Sequence, residues 1–185
     1  MIRIIAGQFK GARLKVPASA RPTASLAREA IMSVIGEKID EARVLDPMAG
    51  SGALALEALS RGAKSALLAD REVLAVRVIK ANVDHLKAND LATVILARQM
   101  SQFDRLLPYG PFDLIFLDPP YEEVTLPLTF LLKLAATNLA APHALAVWEQ
   151  APKTLATLEP DKLKPWTTLS TRTWGDRAAA FLTLS

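Results

Sequence analysis

The chain has 185 residues, 51% hydrophobic and 22% charged, with a formal net charge of +3, which fits one globular domain with a sizeable core and excludes a disordered chain. Zero cysteines exclude disulfides and thiolate zinc sites, and two histidines leave little for a histidine-based metal centre. With no apolar run of 18 residues and no secretory leader at Met1–Gly7, the protein is expected to be soluble and cytoplasmic, with no membrane partner.

The N-terminal stretch is one-signed. From Met1 to Arg28 there are six basic residues and no acidic one. Ile2, Ile4, Leu14 and Val16 flank Gly7-Gln8-Phe9-Lys10-Gly11, which predicts two short strands joined by a glycine-containing turn. Such a basic hairpin attracts polyanions, a phosphate backbone being the commonest, so Arg3, Lys10, Arg13 and Lys15, with Arg21 just beyond it, are candidate contacts to a nucleic acid such as RNA. The alternative is a solvated hairpin with no ligand. After Arg21-Pro22-Thr23, apolar residues from Leu26 to Ile35 recur at helical spacing until Gly36, and Thr23 or Ser25 is a suitable cap.

Val44-Leu45-Asp46-Pro47-Met48-Ala49-Gly50-Ser51-Gly52, followed by helical spacing from Ala53 to Leu59, is a strand, a glycine turn and a helix in that order. A second strand, Ser65 to Ala69, ends at Asp70, 18 residues after Gly52, with Arg71 next. That is near the spacing of the acid that accepts hydrogen bonds from a ribose. The helix from Leu74 to Leu86 carries His85, and a third strand, Thr93 to Ala97, leads to Arg98, Gln99 and Met100, where an adenine ring or a plain turn would fit.

Leu114 to Leu117 is a short apolar run that reads as a strand buried on both faces, and Asp118-Pro119-Pro120-Tyr121 ends it. Ligands of open α/β sheets bind at that edge, so these four residues are candidates for chemistry. Leu126 to Leu139 predicts a helix. His143 falls beside Pro142 in a turn, and Leu145 to Trp148 predicts a strand with Glu149 just beyond it. Trp166–Arg172 and Ala178–Leu184 predict an antiparallel pair around Trp174-Gly175-Asp176. The order predicts an α/β fold: a doubly wound, mostly parallel sheet of about seven strands, with a terminal antiparallel hairpin and a small N-terminal one.

A dinucleotide would bring its pyrophosphate against Asp46, whereas S-adenosylmethionine carries an ammonium and a sulfonium that a carboxylate suits. This favours the methyl donor. The alternative, that Asp46 only orients the loop, stays open.

Taken together, Arg21-Pro22-Thr23, Asp46 to Gly52 with Ala53-Leu54 and Leu56 to Gly62, and Asp113 to Tyr121 resemble the bacterial 16S ribosomal RNA guanine-N2 methyltransferases, class I S-adenosylmethionine-dependent enzymes. The likeness runs from Arg3-Ile4-Ile5-Ala6-Gly7 to Trp174-Gly175-Asp176. It implies a basic extension over residues 1–20 and a methyltransferase domain over 21–185. It implies that Asp46, Ala49, Gly50, Ser51 and Gly52 surround the methionine portion of the cofactor and that Asp70 holds the ribose hydroxyls. Thr23, Arg71, Gln99 and Met100 join the implied cofactor set, and Asp118, Pro119, Pro120 and Tyr121 hold the target amine. Pro47-Met48 and Arg98-Gln99 depart from the family's usual residues at those places.

The expected partner is 16S ribosomal RNA or the small ribosomal subunit, and the chain is expected to be a monomer. Two other readings remain: an N6-adenine RNA or DNA methyltransferase, since the carboxylate-proline-proline-aromatic arrangement serves either amine, and a non-catalytic ribosome-assembly factor that keeps the fold and the basic hairpin.

Overall fold

The computed structural model describes residues 2–17, 25–98, 100–119, 123 and 125–185. Arg21, Pro22, Thr23, Gln99, Pro120 and Tyr121, all named above, lie outside these residues.

Strands β1 (Ile2–Arg3) and β2 (Arg13–Leu14) pair antiparallel as the basic hairpin. Helix α1 (Ser25–Ile35) follows, with Ser25 as its first helical residue. Then come β3 (Arg43–Asp46), α2 (Ala53–Ser60), β4 (Ser65–Asp70), α3 (Val73–Leu86) and β5 (Ala92–Leu96). The second half contains β6 (Phe112–Leu117), α4 (Thr125–Ala136), β7 (Ala140–Gln150), β8 (Trp166–Trp174) and β9 (Arg177–Leu184). The seven-stranded sheet has the order β5-β4-β3-β6-β7-β9-β8, parallel except for the antiparallel pairs β7–β9 and β8–β9. The order reverses between β3 and β6, which makes that pair the topological switch point.

Strands β3, β4, β6 and β7 are buried on both faces over most of their length, and alternation sorts their side chains into two layers. Val44, Ala66, Leu68, Leu114, Phe116, Val147 and Ala179 pack with α1, α2, α3 and the N-terminal hairpin. Leu45, Leu67, Ile115, Leu117, Trp148 and Ala180 pack with α4 on the other side.

Two boundaries differ from the sequence reading. Strand β7 begins at Ala140, not at Leu145, and Glu149 lies inside it. Pro142 cannot donate to a ladder, and the strand passes it through a register shift opposite Phe112 and Leu114, with His143 at φ 61°. Helix α4 stops at Ala136. Asn138 adopts φ 54° while the Leu139 N–H returns to the Leu134 carbonyl, a left-handed closure that ends the helix before its apolar spacing does. His85 is exposed on α3.

The hairpin is fixed to the domain by a buried carboxylate. Glu57, fully buried in α2, accepts hydrogen bonds from the backbone N–H groups of Ile5 (2.8 Å) and Ala6 (3.0 Å) and pairs with Arg61 and Arg28. The turn packs so closely that a Cβ on Gly7, at φ 80°, would stand 1.7 Å from the Ser60 carbonyl oxygen. Only glycine fits there.

Candidate active site at the switch point

Three predicted residues end three neighbouring strands on one face. Asp46, Asp70 and Asp118 each stand two positions beyond a residue of the α1–α3 core layer (Val44, Leu68 and Phe116), so alternation places all three on that side of the sheet. Glu149 follows Val147 in the same way on β7, and the Leu117–Trp148 register sets it beside Asp118. The result is a row of four carboxylates along the C-terminal edge, in the spatial order Asp70, Asp46, Asp118, Glu149.

The glycine loop is held against β4. Gly50 N–H donates to Asp70 Oδ2 (2.9 Å), Glu72 N–H donates to Oδ1 (2.9 Å), and Ala49 N–H donates to the Ala69 carbonyl (3.0 Å). Asp70 therefore orders the turn as well as facing the edge, and its remaining lone pairs stay available to hydroxyl donors. Gly52 caps α2 at φ 78°, where a Cβ would come within 2.9 Å of Leu68 Cδ2.

Burial pushes the Asp46 carboxyl up to about 8, and the charges of Asp118 and Asp70 push the same way; the N–H groups of Ala55 and Met48 oppose the rise. Asp46 thus orients the loop and the start of α2, and its burial favours the neutral acid. Glu149 is raised to about 7 by burial and by the charge of Asp118, against the pull of Arg177. Asp118 is partly exposed at the end of β6, and the adjoining Pro119 is buried.

Beyond Asp70 an open cleft of about 740 Å³ is lined by Arg71, Glu72, Arg98, Met100, Glu123 and Leu126, among others. Arg71 and Met100 are brought together there, with Arg71 bonded to Glu123 across the cleft. Predicted residues thus fall in two adjoining parts of one edge. Thr23, Gln99, Pro120 and Tyr121 lie outside the described residues.

The basic arm is placed unevenly. Arg3, Lys10, Arg13 and Lys15 are exposed, whereas Arg28 is buried and donates to the Arg3 carbonyl (2.6 Å). Lys10 belongs to the turn bonded to Ser60, about 12 Å along α2 from the glycine loop. Lys15 lies at the loop itself, through Asn82.

Asn82 is a residue the sequence reading missed. Buried on α3, it accepts from the Lys15 N–H (2.8 Å) and donates to the carbonyls of Lys15 (2.9 Å) and Ser51 (2.9 Å), tying arm to loop. Its signal was a polar residue on the apolar stripe Ala75, Ile79, Val83, Leu86. Asn82→Ala leaves those backbone groups unpaired, the Ser51 carbonyl in a buried setting, so a loss of about 1–3 kcal/mol is expected from urea unfolding, with faster amide exchange at Lys15. Unchanged exchange there would show that Asn82 does not hold the arm.

The comparisons with known proteins bear on the same elements. The family model described as Conserved hypothetical protein 95 matches residues 2–183. Ribosomal RNA small subunit methyltransferase D of Haemophilus influenzae is 30% identical over 177 residues, covering 94% of this chain and 89% of the relative. This chain belongs to the ribosomal RNA small subunit methyltransferase D family. The member from Escherichia coli is 40% identical over 125 residues, a match that spans 66% of this chain and 61% of the relative. Among solved structures, the chain yhhF of Escherichia coli, provisionally described as a methyltransferase, superposes with a TM-score of 0.85 at 30% identity, covering 100% of this chain and 98% of that one.

Proposed function

We propose that the protein transfers a methyl group from S-adenosylmethionine to the exocyclic N2 amine of a guanine in small-subunit ribosomal RNA. The observation that carries this reading is the placement of Asp118 and buried Pro119 at the end of β6, on the same edge as Asp46 and Asp70. The relatives' names support its coarser part, a methyltransferase of small-subunit ribosomal RNA.

The residues fit the cofactor by charge. Converging carboxylates suit a cationic ligand and repel a pyrophosphate, and a group such as Asp46, held neutral by burial, ionises when an ammonium supplies the missing charge. Asp46, the loop from Ala49 to Gly52, and Asp70 would hold the cofactor. When bound, S-adenosylmethionine supplies an electrophilic methyl group whose bonding pair leaves with sulfur.

The protein's own task is the nucleophile. A guanine amine is a weak nucleophile because its lone pair is delocalised into the ring. Asp118 Oδ accepts one amine N–H and the Pro119 carbonyl accepts the other, which localises the lone pair and stabilises the charge that develops as the N–C bond forms. The proton then passes to solvent, because the methylated amine is acidic. The base must be unstacked to reach this edge.

Residues 1–20 serve, in this reading, as a phosphate-gripping arm on the domain of residues 21–185. Replacing Arg13 and Lys15 by alanine is expected to reduce the salt dependence of RNA binding by about one unit of slope per lost phosphate contact, and Lys10→Ala, far from the glycine loop, to change it less. Equal effects at all three would remove the positional part of the idea.

The deciding experiment treats unmodified small subunits with labelled donor and digests them to nucleosides. N2-methylguanosine supports the proposal; N6-methyladenosine, or no transfer by a correctly folded protein, overturns it.

A further inference from the structure

The carboxylate row ends in a residue that the proposed transfer has not used. Glu149 is 1% exposed at the end of β7. Its Oε1 accepts from Arg177 Nη1 at 2.6 Å, while Oε2, equally buried, has no hydrogen-bond partner among the described residues. Two nearby orphaned donors, Trp148 Nε1 and Gln150 Nε2, alternate with Glu149 and so belong to the opposite face. A buried carboxylate satisfied on one oxygen only is costly, and at the edge of a site its second oxygen is suited to a donor brought by a ligand.

Position narrows the donor. Leu117 pairs with Trp148, so Asp118 and Glu149 are the next neighbours on adjacent parallel strands, close enough for the charge of Asp118 to act on Glu149. A group that reaches Glu149 Oε2 while its neighbour is held by Asp118 must present two adjacent donors. Guanine does so, with its ring N1–H beside the N2 amine. Adenine offers a lone pair at N1 beside its N6 amine, which would face the carboxylate, ionised above about pH 7, acceptor to acceptor.

We propose that Glu149, held by Arg177, is the specificity-determining residue that reads the ring N1–H of the target base and so selects guanine over adenine. The inference rests on the methyl-transfer reading above. It also supplies what the Asp118-Pro119 pair lacks, since that pair serves either exocyclic amine. A site built to bond a donor discriminates strongly against an analogue without it, because its own acceptor is then left unpaired.

The probe is 2-aminopurine, which keeps the 2-amine but has a lone pair in place of N1–H. Small subunits are reconstituted with guanosine or 2-aminopurine at the position mapped by nucleoside digestion, and kcat/KM for labelled methyl transfer is compared. The wild-type protein is expected to favour guanosine by about 100-fold or more. Glu149→Gln is expected to shrink that ratio below about tenfold, chiefly by losing rate on guanosine. An unchanged ratio, or equal loss on both substrates, overturns the inference, as does a wild-type protein that uses both bases equally. If wild-type protein methylates neither, it is the underlying methyl-transfer reading that fails. Should Glu149→Gln not fold, Glu149→Asp keeps the charge opposite Arg177 and withdraws the oxygen by one methylene. The ratio should fall for it too, and an undiminished ratio counts against the inference.

Discussion

Asp118→Ala is expected to reduce methyl transfer by about 10²–10³-fold or more while leaving affinity for S-adenosylmethionine within a few-fold of wild type. The side chain supplies an acceptor used as charge develops on the amine, and loss of one such preorganised group costs roughly that factor. The cofactor's other contacts, the loop at Gly50 and the carboxylates of Asp46 and Asp70, are built by β3 and β4 and do not depend on the residue after β6. Rates from labelled donor and affinity from calorimetry separate the two effects. The variant also removes a charge that raises both Asp46 and Glu149, so both carboxyls should titrate lower. A variant that loses cofactor binding together with activity would make Asp118 part of the scaffold instead.

The local order of the chain was legible because each signal was local. Val44-Leu45 before the glycine turn, the helical spacing after it, and the prolines after Leu117 all follow from backbone chemistry within a few residues, and β3, α2 and β6 form where those signals stand. The seven strands and the terminal antiparallel pair were likewise recoverable from alternation of β and α patterns. The start of β7 was not. Pro142 and His143 read as a break, and only pairing with β6 on either side of it, Phe112 with Ala140 and Leu114 with Leu145, carries the strand through the irregularity.

The site was legible as a set of strand ends and illegible as a row. Fully apolar parallel strands carry no alternation to mark which face a terminal carboxylate joins. Asp46, Asp70 and Asp118 could be named, but their shared face depends on register, and Glu149 could not be attached to Asp118 without the Leu117–Trp148 pairing. Arg177 lies further still, across an antiparallel strand. Charge counting misled for Arg28. A basic segment looks solvent-facing in sequence, yet this guanidinium is buried opposite Glu57, and the sign of Glu57 inside an entirely buried helix was the missed clue. Lys10 was counted with Lys15 as one arm, although Ser60 anchors its turn at the far end of α2.

Asp46 shows how the apo fold and the proposed chemistry oppose one another. Its carboxyl titrates near 8 in the folded chain and near 4 when unfolded. Between those values the unfolded state has lost the proton and the folded state has kept it, so the unfolded state binds fewer protons. Stability contributed by this group therefore falls as pH rises from about 4 to about 8, then levels off. A cationic ligand favours the ionised form, so binding releases the proton. Affinity for S-adenosylmethionine should tighten with pH across the same window, approaching tenfold per pH unit below about pH 8. Asp46→Asn resembles the protonated acid and removes both dependences. The cofactor-free variant is expected to melt several degrees above wild type at pH 8, with a smaller difference at pH 5, and to bind the cofactor at least about tenfold more weakly at pH 8. Calorimetry in buffers of different ionisation enthalpy should detect release of close to one proton per cofactor at pH 7 in wild type and almost none in the variant. If affinity proves flat with pH and equal in both proteins, Asp46 serves only to cap α2 and order the loop, and the ammonium must be held elsewhere on the edge.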